Sequence, residues 1–191
     1  QAMRNILQSV EQIIKGIKDE QLTGKTIIDT SPFFGGATHL GWVAADALII
    51  PVRIDQHSME ALKLTLSMLR DPSMDFLRLN KQAGIEKVPK VHALVMTHCG
   101  WNRQETLTPD RSTQAYLAQV LSIANDNKEV FSSKDPLDVI YLLDDFHSAG
   151  RISGAKRTPL AKLNIGQSVT IEGRKLEVNQ SLTRYQSELR S

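Results

Sequence analysis

The chain has 191 residues, of which 41% are hydrophobic and 23% are charged, and its formal net charge is +2. This is the composition of a globular protein with a sizeable core, and its one cysteine, Cys99, excludes a disulfide framework and predicts a reducing, cytoplasmic setting. The balanced charge gives no argument by itself for nucleic-acid binding, and no apolar stretch reaches the length of a membrane-spanning helix.

The first part of the chain predicts helices and strands in alternation. Apolar residues at three- and four-residue spacing predict an amphipathic helix over residues 2–18. The β-branched run TIIDT (26–30) predicts a buried strand, and LGWVAA (40–45) predicts a short helix. The run DALIIPVRI (46–54) lacks alternation, which predicts a strand with both faces covered. Residues 57–70 place apolar side chains on one helical face, and the Asp-Pro pair that follows predicts the end of this helix.

The second part continues the alternation and then changes pattern. KVHALVMTH (90–98) and LDVIYLL (137–143) predict strands, with a helix over residues 112–124 between them. SVTIEGRKLEV (168–178) alternates around Glu-Gly and predicts a β-hairpin, and SLTRYQSELR (181–190) predicts a closing helix. Alternating strands and helices are typical of parallel βαβ units. The sequence therefore predicts one three-layer α/β domain over residues 1–191, with a mostly parallel sheet, flanking helices and a small C-terminal hairpin.

The short sequence Gly24-Lys25-Thr26 matches the end of a phosphate-binding loop, but its surroundings do not. Such a loop follows a strand, carries a further glycine five residues before the Gly-Lys pair, and leads directly into a helix. Here Asp19 takes the glycine position, a predicted helix precedes the motif and a predicted strand follows it. We therefore interpret Gly24 as a turn or helix C-cap residue.

Polar side chains follow three predicted strands, at the edge where an open parallel sheet binds its ligands. Asp29 ends the first strand, Thr97 and His98 end the third, and Asp144 and Asp145 follow the last. A carboxylate at such a position can hold a Mg²⁺-bound water or orient an attacking one. Helix capping or turn formation is the alternative for each aspartate.

One long block of the sequence resembles the central part of the ParA/MinD-type partition ATPases. In that family a strand ending in Asp-x-x-Pro is followed by a glycine-containing loop, an Ala-Ala-Asp motif, an apolar strand ending at Pro, and a helix entered through a serine. These features correspond to residues 29–32, 44–46, 50–51 and Ser58. The later SAGRISGAKRTPLAKL is similar to the family's C-terminal pattern. The resemblance covers roughly residues 20–165.

The resemblance implies a P-loop NTPase-like fold of the deviant Walker (SIMIBI) class, with ATP and Mg²⁺ held in a homodimer and hydrolysis stimulated by a ParB-like partner. Asp29 would be the catalytic, metal-associated aspartate, and Pro32 would shape the switch loop beside the nucleotide. Thr97 and His98 would lie near the adenine, although the family often has asparagine at the position of His98. Residues 142–144, including Leu142 and Asp144, would border the base.

The family's Lys-Gly-Gly-type phosphate loop would come before residue 1. We therefore expect this chain to be the C-terminal portion of a longer ATPase. The alternative is a degenerate paralogue that closes its sheet by self-association. In either case we expect no ATP hydrolysis by these residues alone, because none of them could cradle the β- and γ-phosphates.

Basic residues near the C-terminus add a possible nucleic-acid function through the same resemblance. Lys156, Arg157, Lys162, Arg174 and Lys175 could hold nonspecific DNA, as surface basic residues do in this family, or could form an ordinary solvated face. The leading expectation is an ATPase that positions or segregates DNA or other cargo. The alternatives are a non-catalytic scaffold or regulatory module of the same fold, and a different phosphotransferase that uses Asp29.

Overall fold

A computed structural model of the protein describes residues 1–21, 24–31, 34–102, 108–171 and 173–189. The α-helices in these ranges are α1 (Ala2–Leu7), α2 (Ser9–Gln21), α3 (Gly36–Ala44), α4 (Gln56–Arg70), α5 (Asp75–Gln82), α6 (Arg111–Asn125), α7 (His147–Lys156) and α8 (Leu182–Glu188). The strands are β1 (Ala47–Arg53), β2 (Lys90–Cys99), β3 (Ile140–Asp144), β4 (Ser168–Ile171) and β5 (Arg174–Glu177).

The strands form an α/β arrangement with two separate sheets. A three-stranded parallel sheet has the order β1-β2-β3, and β4 pairs with β5 in an antiparallel hairpin. Helices flank the parallel sheet, so the predicted class, the parallel strands and the C-terminal hairpin are confirmed. The chain divides into two compact units, one made of Gln1–Val95 and Ala118–Tyr141, the other of Met96–Leu117 and Leu142–Ser191.

Helix α4 illustrates how the sequence builds the first unit. The Asp55 side chain accepts a hydrogen bond of 2.8 Å from the Ser58 backbone N–H, which caps the start of the helix. Met59, Leu62 and Leu66 recur at three- and four-residue spacing and are at most 2% exposed. Their burial follows from the contacts of α4 with β1 and α5. The helix predicted over residues 57–70 is confirmed.

The N-terminal segment is helical, but it is broken. The single helix predicted over residues 2–18 is observed as α1 and α2, which are separated at Gln8. Both helices contact α3, and Leu7 is buried. On other positions of the two helices, large apolar side chains are 44–64% exposed, namely Met3, Ile6, Ile13 and Ile17.

Two expectations about the strands are wrong. Residues 25–30 are not a strand, and Ile27, predicted to be buried, is 95% exposed. The physical reason is that these residues make no backbone hydrogen bond to any described part of the chain. The apolar strand β1 does form, but Ile49 is 71% exposed while Leu48 and Val52 are buried, so one face of β1 is uncovered rather than both being buried.

The C-terminal half of the second unit has its own core. Val169 pairs with Leu176 on one face of the hairpin, which also carries the Ile171–Arg174 pair, and Thr170 pairs with Lys175 on the opposite, polar face. Val169, Leu176 and Phe146 pack against buried side chains from α7, α8 and the segments between them: Ala149, Ile152, Leu160, Leu163, Val178, Leu182 and Tyr185. Among the helices that the structure describes, none has the length and apolar character needed to cross a membrane.

Candidate functional site

The carboxyl ends of β2 and β3 bring together four of the predicted site residues. The two strands are parallel neighbours, so their ends lie at the same edge of the sheet. At this edge Thr97 and Leu142 are half-buried, His98 is exposed and Asp144 is buried. The edge therefore combines an exposed imidazole with a buried carboxylate.

His98 has an unusual backbone conformation. Its φ is 63°, in the left-handed region that residues with a Cβ rarely adopt. Such a conformation costs on the order of 1 kcal/mol and persists only where the surrounding structure enforces it. The next residue, Cys99, is fully buried, and its Sγ donates to the carbonyl oxygen of Met96 at 3.4 Å. The strand end is thus held on its buried side while the imidazole faces outward.

The junction after β2 is fixed by a hydrogen-bond network that the sequence analysis did not identify. The Gly100 N–H donates to Thr113 Oγ1 at 2.9 Å, and the same hydroxyl donates to the Gly100 carbonyl oxygen at 3.2 Å. Asp110 caps α6 by accepting from the Thr113 N–H at 2.7 Å, and its own N–H donates to the Gly100 oxygen at 2.9 Å. A Cβ on Gly100 would overlap the Asp110 carboxylate. The sequence signal was the aspartate three residues before a threonine at the start of a predicted helix.

Asp144 is a buried charge rather than an open ligand-binding group. Its side chain is 4% exposed and forms an ion pair and hydrogen bond with the Arg184 guanidinium, which is carried by α8. Burial raises the pKa of the Asp144 carboxyl, and the nearby charges of Arg184 and His147 oppose this shift without cancelling it. In this structure the carboxylate predicted to border a base is engaged by the chain's own C-terminal helix.

Asp29 lies in the first unit, on a segment that packs onto α3. A Cβ on Gly41 of α3 would lie 2.8 Å from Thr30 Cγ2 and 3.5 Å from Ile28 Cγ2, so both side chains rest on this glycine. Asp29 and Ile27 alternate with them and are exposed. Asp29 makes no hydrogen bond or ion pair with the described residues. Its carboxylate is available to an added ligand.

The end of this segment is anchored to the same helix. The Thr38 hydroxyl donates to the Ser31 carbonyl oxygen at 3.1 Å. Pro32, the other residue assigned to this loop, lies outside the described residues. The order of elements around Gly24 is a helix before it and an extended segment after it, which is the reverse of a phosphate-binding loop.

The residues fit only part of a magnesium nucleotide. The described residues contain no cluster of three or more His, Cys, Asp or Glu side chains that could hold a metal ion. Mg²⁺ in nucleotide sites takes one or two carboxylates and completes its shell with waters and phosphate oxygens, so the single carboxylate of Asp29 fits such a shell. No described loop offers the row of backbone N–H groups, leading into a helix, that β- and γ-phosphates require. No hydrolysis step follows for these residues alone.

Exposed basic residues concentrate in the second unit. The sequence from residue 142 to 191 contains eight lysines and arginines against five aspartates and glutamates. Six of these cations take part in no ion pair among the described residues: Arg151, Lys156, Arg157, Lys162, Arg174 and Lys175. Lys156 is half-buried and the other five are exposed. This part of the chain therefore has an excess of basic residues, and most of them have no ion-pair partner among the described residues.

The candidate residues therefore form two separate sets. The first unit carries the exposed carboxylate of Asp29. The second unit carries His98, with its left-handed backbone, and the buried, ion-paired Asp144 at the ends of neighbouring strands. Comparisons with protein-family models, with curated proteins and with solved structures find no significant match to this chain.

Proposed function

We propose that this chain is the nucleotide-switch and C-terminal part of a ParA/MinD-type ATPase, which positions or segregates DNA or other cargo through ATP-dependent dimerisation. The order of motifs from Asp29 to Ser58 supports the kinship. Three parallel strands with flanking helices agree with a P-loop NTPase-like core at the level of fold class. The phosphate-binding loop comes, in this proposal, from polypeptide outside these 191 residues.

The observation that carries the proposal is the state of residues 25–30. Ile28 and Thr30 pack on Gly41, as the inward side chains of a strand pack on a helix, yet the segment makes no backbone hydrogen bond to the described residues. Extended backbone with unpaired N–H and C=O groups is a template for another strand. In the proposed fold the phosphate-loop strand lies beside the Asp29 segment. The proposal therefore requires backbone N–H and C=O groups in this segment that can still pair with another strand, and residues 25–30 have such groups.

The uncovered side of the parallel sheet supports the same conclusion. β1 is the first strand in the order β1-β2-β3, so one of its edges has no hydrogen-bonded neighbour among the described strands. Ile49 on this strand is 71% exposed, and Ile27 on the unpaired segment is 95% exposed. Burying two such side chains would contribute roughly 3–6 kcal/mol to the association of a further strand and helix. Additional polypeptide on this side satisfies both the backbone and the apolar surface.

Asp29 is the residue to which we assign the chemistry. When bound, the Mg²⁺ nucleotide supplies the transferable phosphoryl group and the cation that offsets its charge. The Asp29 carboxylate, exposed and unpaired with described residues, would accept hydrogen bonds from magnesium-bound water and keep that water oriented. Ile28 and Thr30 position this carboxylate by fixing the segment on α3.

ATP turnover tests the proposal in the polypeptide encoded by the whole reading frame that contains this sequence. We expect Mg²⁺-dependent hydrolysis there, and we expect Asp29→Ala to reduce it at least about 100-fold because a group that orients the reacting water is lost. The fold should be unaffected, with a change of less than about 0.5 kcal/mol in the free energy of unfolding, because Asp29 is exposed. Asp75→Ala, which removes an exposed aspartate that pairs with Arg78 at the start of α5, is the control and should hydrolyse ATP at the parent rate.

Three results would contradict this assignment. Unchanged turnover in the Asp29→Ala protein would remove the residue from the reaction. Micromolar ATP binding by the 191-residue chain alone would show that the phosphates are gripped by residues present here. A reading frame with no Gly-Lys-rich loop would favour the non-catalytic scaffold instead.

The basic surface of the second unit carries the DNA part of the proposal. Thr170 and Lys175 are paired on the polar face of the hairpin, and neighbouring Arg174, which pairs with Ile171 on the other face, is also exposed and has no ion pair with any described residue. A surface that contacts phosphates releases counterions, so affinity falls with salt by a slope of about 0.9 per phosphate contact in a log–log plot. We expect duplex DNA of unrelated sequences to bind with similar, salt-sensitive affinity.

Charge reversal at the hairpin tests this part separately. Arg174→Glu with Lys175→Glu should weaken DNA binding at least about tenfold and lower the salt slope by about two. Lys63→Glu with Lys81→Glu, on α4 and α5 of the first unit, makes the same change in net charge and should have a much smaller effect. Equal loss in the two double variants would mean that only net charge matters, and the hairpin would not be the DNA-binding surface.

A further inference from the structure

The strongest unassigned feature of the molecule is the link between the end of β3 and the C-terminal helix. Asp144 ends the strand, with a side chain 4% exposed, and Arg184 reaches it from α8, forty residues later in the chain. The guanidinium is 41% exposed, so the buried member of the pair is the carboxylate. A buried carboxylate is costly without a counter-charge, so its stability depends on where α8 lies.

Helix α8 has further anchors that set its position. Leu182 and Tyr185 are each 2% exposed, and the Tyr185 ring packs edge-on against Phe146 with 5.2 Å between ring centroids. Gln186 Nε2 donates to three backbone carbonyl oxygens at 3.1–3.3 Å, those of Leu160, Ala161 and Leu163. These contacts hold α8 on the core of the same unit that contains Asp144.

Other charged groups near Asp144 do not replace Arg184. His147, at the start of α7, and Asp145, the next residue, also face the carboxylate. His147 Nδ1 lies 3.3 Å from Asp145 Oδ2, so the imidazole is shared with a second carboxylate. Burial raises the pKa of Asp144 even with Arg184 in place. Among the described residues, Arg184 is the one arginine or lysine that interacts with this carboxylate, and it comes from α8.

We propose that Asp144 and Arg184 form a charge-dependent latch that couples the carboxyl end of β3 to the docking of α8. An ionised Asp144 requires Arg184 beside it, and Arg184 is beside it only while α8 is docked. The coupling is reciprocal, so a change of charge at the strand end alters the stability of α8.

Hydrogen exchange of the α8 region measures the latch in the 191-residue chain. The amides of Tyr185 and Leu189 donate to the carbonyl oxygens of Ser181 and Tyr185 at 3.1 and 3.2 Å, so both amides report on α8. At pH 7 we expect Arg184→Gln to accelerate their exchange at least about 100-fold, since it leaves a buried charge without its counter-ion. The double variant Asp144→Asn/Arg184→Gln should exchange within about tenfold of the parent, because no uncompensated charge remains.

The pH dependence gives a second signature with a fixed sign. A carboxyl whose folded-state pKa is raised is favoured in the folded state when protonated, and this advantage is lost as pH rises through the folded-state pKa. After correction for intrinsic exchange, the acceleration caused by Arg184→Gln should therefore shrink as pH falls and Asp144 becomes protonated. Asp144→Asn/Arg184→Gln should lack this pH dependence.

Two controls keep the latch distinct from general stability. Arg151→Gln removes from α7 an exposed arginine that forms no ion pair with the described residues, and it should change exchange less than about threefold. The Val178 N–H, which donates to the Gln167 oxygen at 2.9 Å, reports on the core and should remain protected in Arg184→Gln. The latch is refuted if Arg184→Gln behaves like Arg151→Gln, if the double variant is as fast as the single one, or if Val178 and α8 accelerate together.

Discussion

The packing of residues 25–30 on α3 can be tested by adding a methyl group at Gly41, the helix residue that contacts this segment. In α3, Gly41→Ala adds a single methyl group that would lie 2.8 Å from Thr30 Cγ2 and 3.5 Å from Ile28 Cγ2. The first distance is shorter than two carbon atoms tolerate, since their optimal separation is about 3.5–4.0 Å. Either the extended segment or the helix must move, so the variant reports directly on whether the two are in contact.

The expected size of the effect follows from two opposing contributions. Alanine in a helix interior is favoured over glycine by about 1 kcal/mol. Overpacking against a β-branched side chain costs typically about 1–3 kcal/mol. We therefore expect Gly41→Ala to lower the free energy of unfolding by roughly 0–2 kcal/mol, whereas the same substitution in open helix would raise it by about 0.5–1 kcal/mol.

Urea denaturation of four variants and the parent measures the difference. Gly16→Ala is the matched control, because Gly16 is an exposed position of α2 with no atom within 4 Å of an added Cβ, and it should stabilise the protein. Thr30→Ser removes the clashing methyl group, so Thr30→Ser/Gly41→Ala should recover the helical gain relative to Thr30→Ser alone. If Gly41→Ala stabilises the chain as much as Gly16→Ala does, residues 28 and 30 do not rest on α3, and the positioning of Asp29 inferred above is wrong.

Two further predictions concern helix caps. Gly100→Ala should lower the free energy of unfolding by about 2–4 kcal/mol, because the new Cβ displaces the Asp110 carboxylate that caps α6. The control is Gly154→Ala in α7, where an added Cβ meets no atom, and it should be neutral or stabilising. Urea denaturation measures both variants. The stabilising contribution of the Asp55 cap to α4 should depend on pH. The hydrogen bond from the Ser58 N–H is the largest cause that lowers the pKa of Asp55. The cap therefore contributes fully at pH values above 3.8, the ordinary pKa of the carboxyl, and its contribution is lost as pH falls through the folded-state pKa. Thermal melts of the parent and Asp55→Ala should therefore differ at pH 7 and converge in strong acid, and a difference that stays constant with pH would contradict the role of the charged cap.

Elements with strong local signals were predictable from the sequence. Helix α4 has a cap at Asp55, an apolar stripe along its fifteen residues and an Asp-Pro stop directly after it, and the β4–β5 hairpin has alternation around a glycine whose φ is 75°. Helix α5 was not predicted, because its eight residues directly follow the turn that ends α4. The break at Gln8 was also missed, since the apolar spacing continues through it.

The strand expected at residues 26–30 shows the limit of local pattern. The β-branched run favours a strand, and Ile28 and Thr30 of this segment do pack on α3 while Ile27 and Asp29 are exposed. A strand also needs hydrogen-bonded neighbours, which no local sequence encodes. Its unpaired state therefore depends on the rest of the sheet and could not be deduced from these residues.

The candidate site was predictable in position but not in detail. The rule that ligands bind at the carboxyl ends of parallel strands identified His98 and Asp144. The left-handed backbone of His98 has no sequence signal beyond the tolerance of histidine for that region. The partner of Asp144 lies forty residues away on another helix, so only the folded chain reveals that this carboxylate is buried and paired.

Backbone hydrogen exchange at residues 26–30 tests the central proposal, that this unpaired segment becomes a sheet strand when further polypeptide supplies its hydrogen-bonded neighbour. We expect its amides to exchange within about tenfold of the unstructured rate in this chain, because they have no hydrogen-bond acceptor among the described residues. In the polypeptide encoded by the whole reading frame, the same amides should exchange at least about 100-fold more slowly. Strong protection in the 191-residue chain, or fast exchange in both proteins, would contradict the claim.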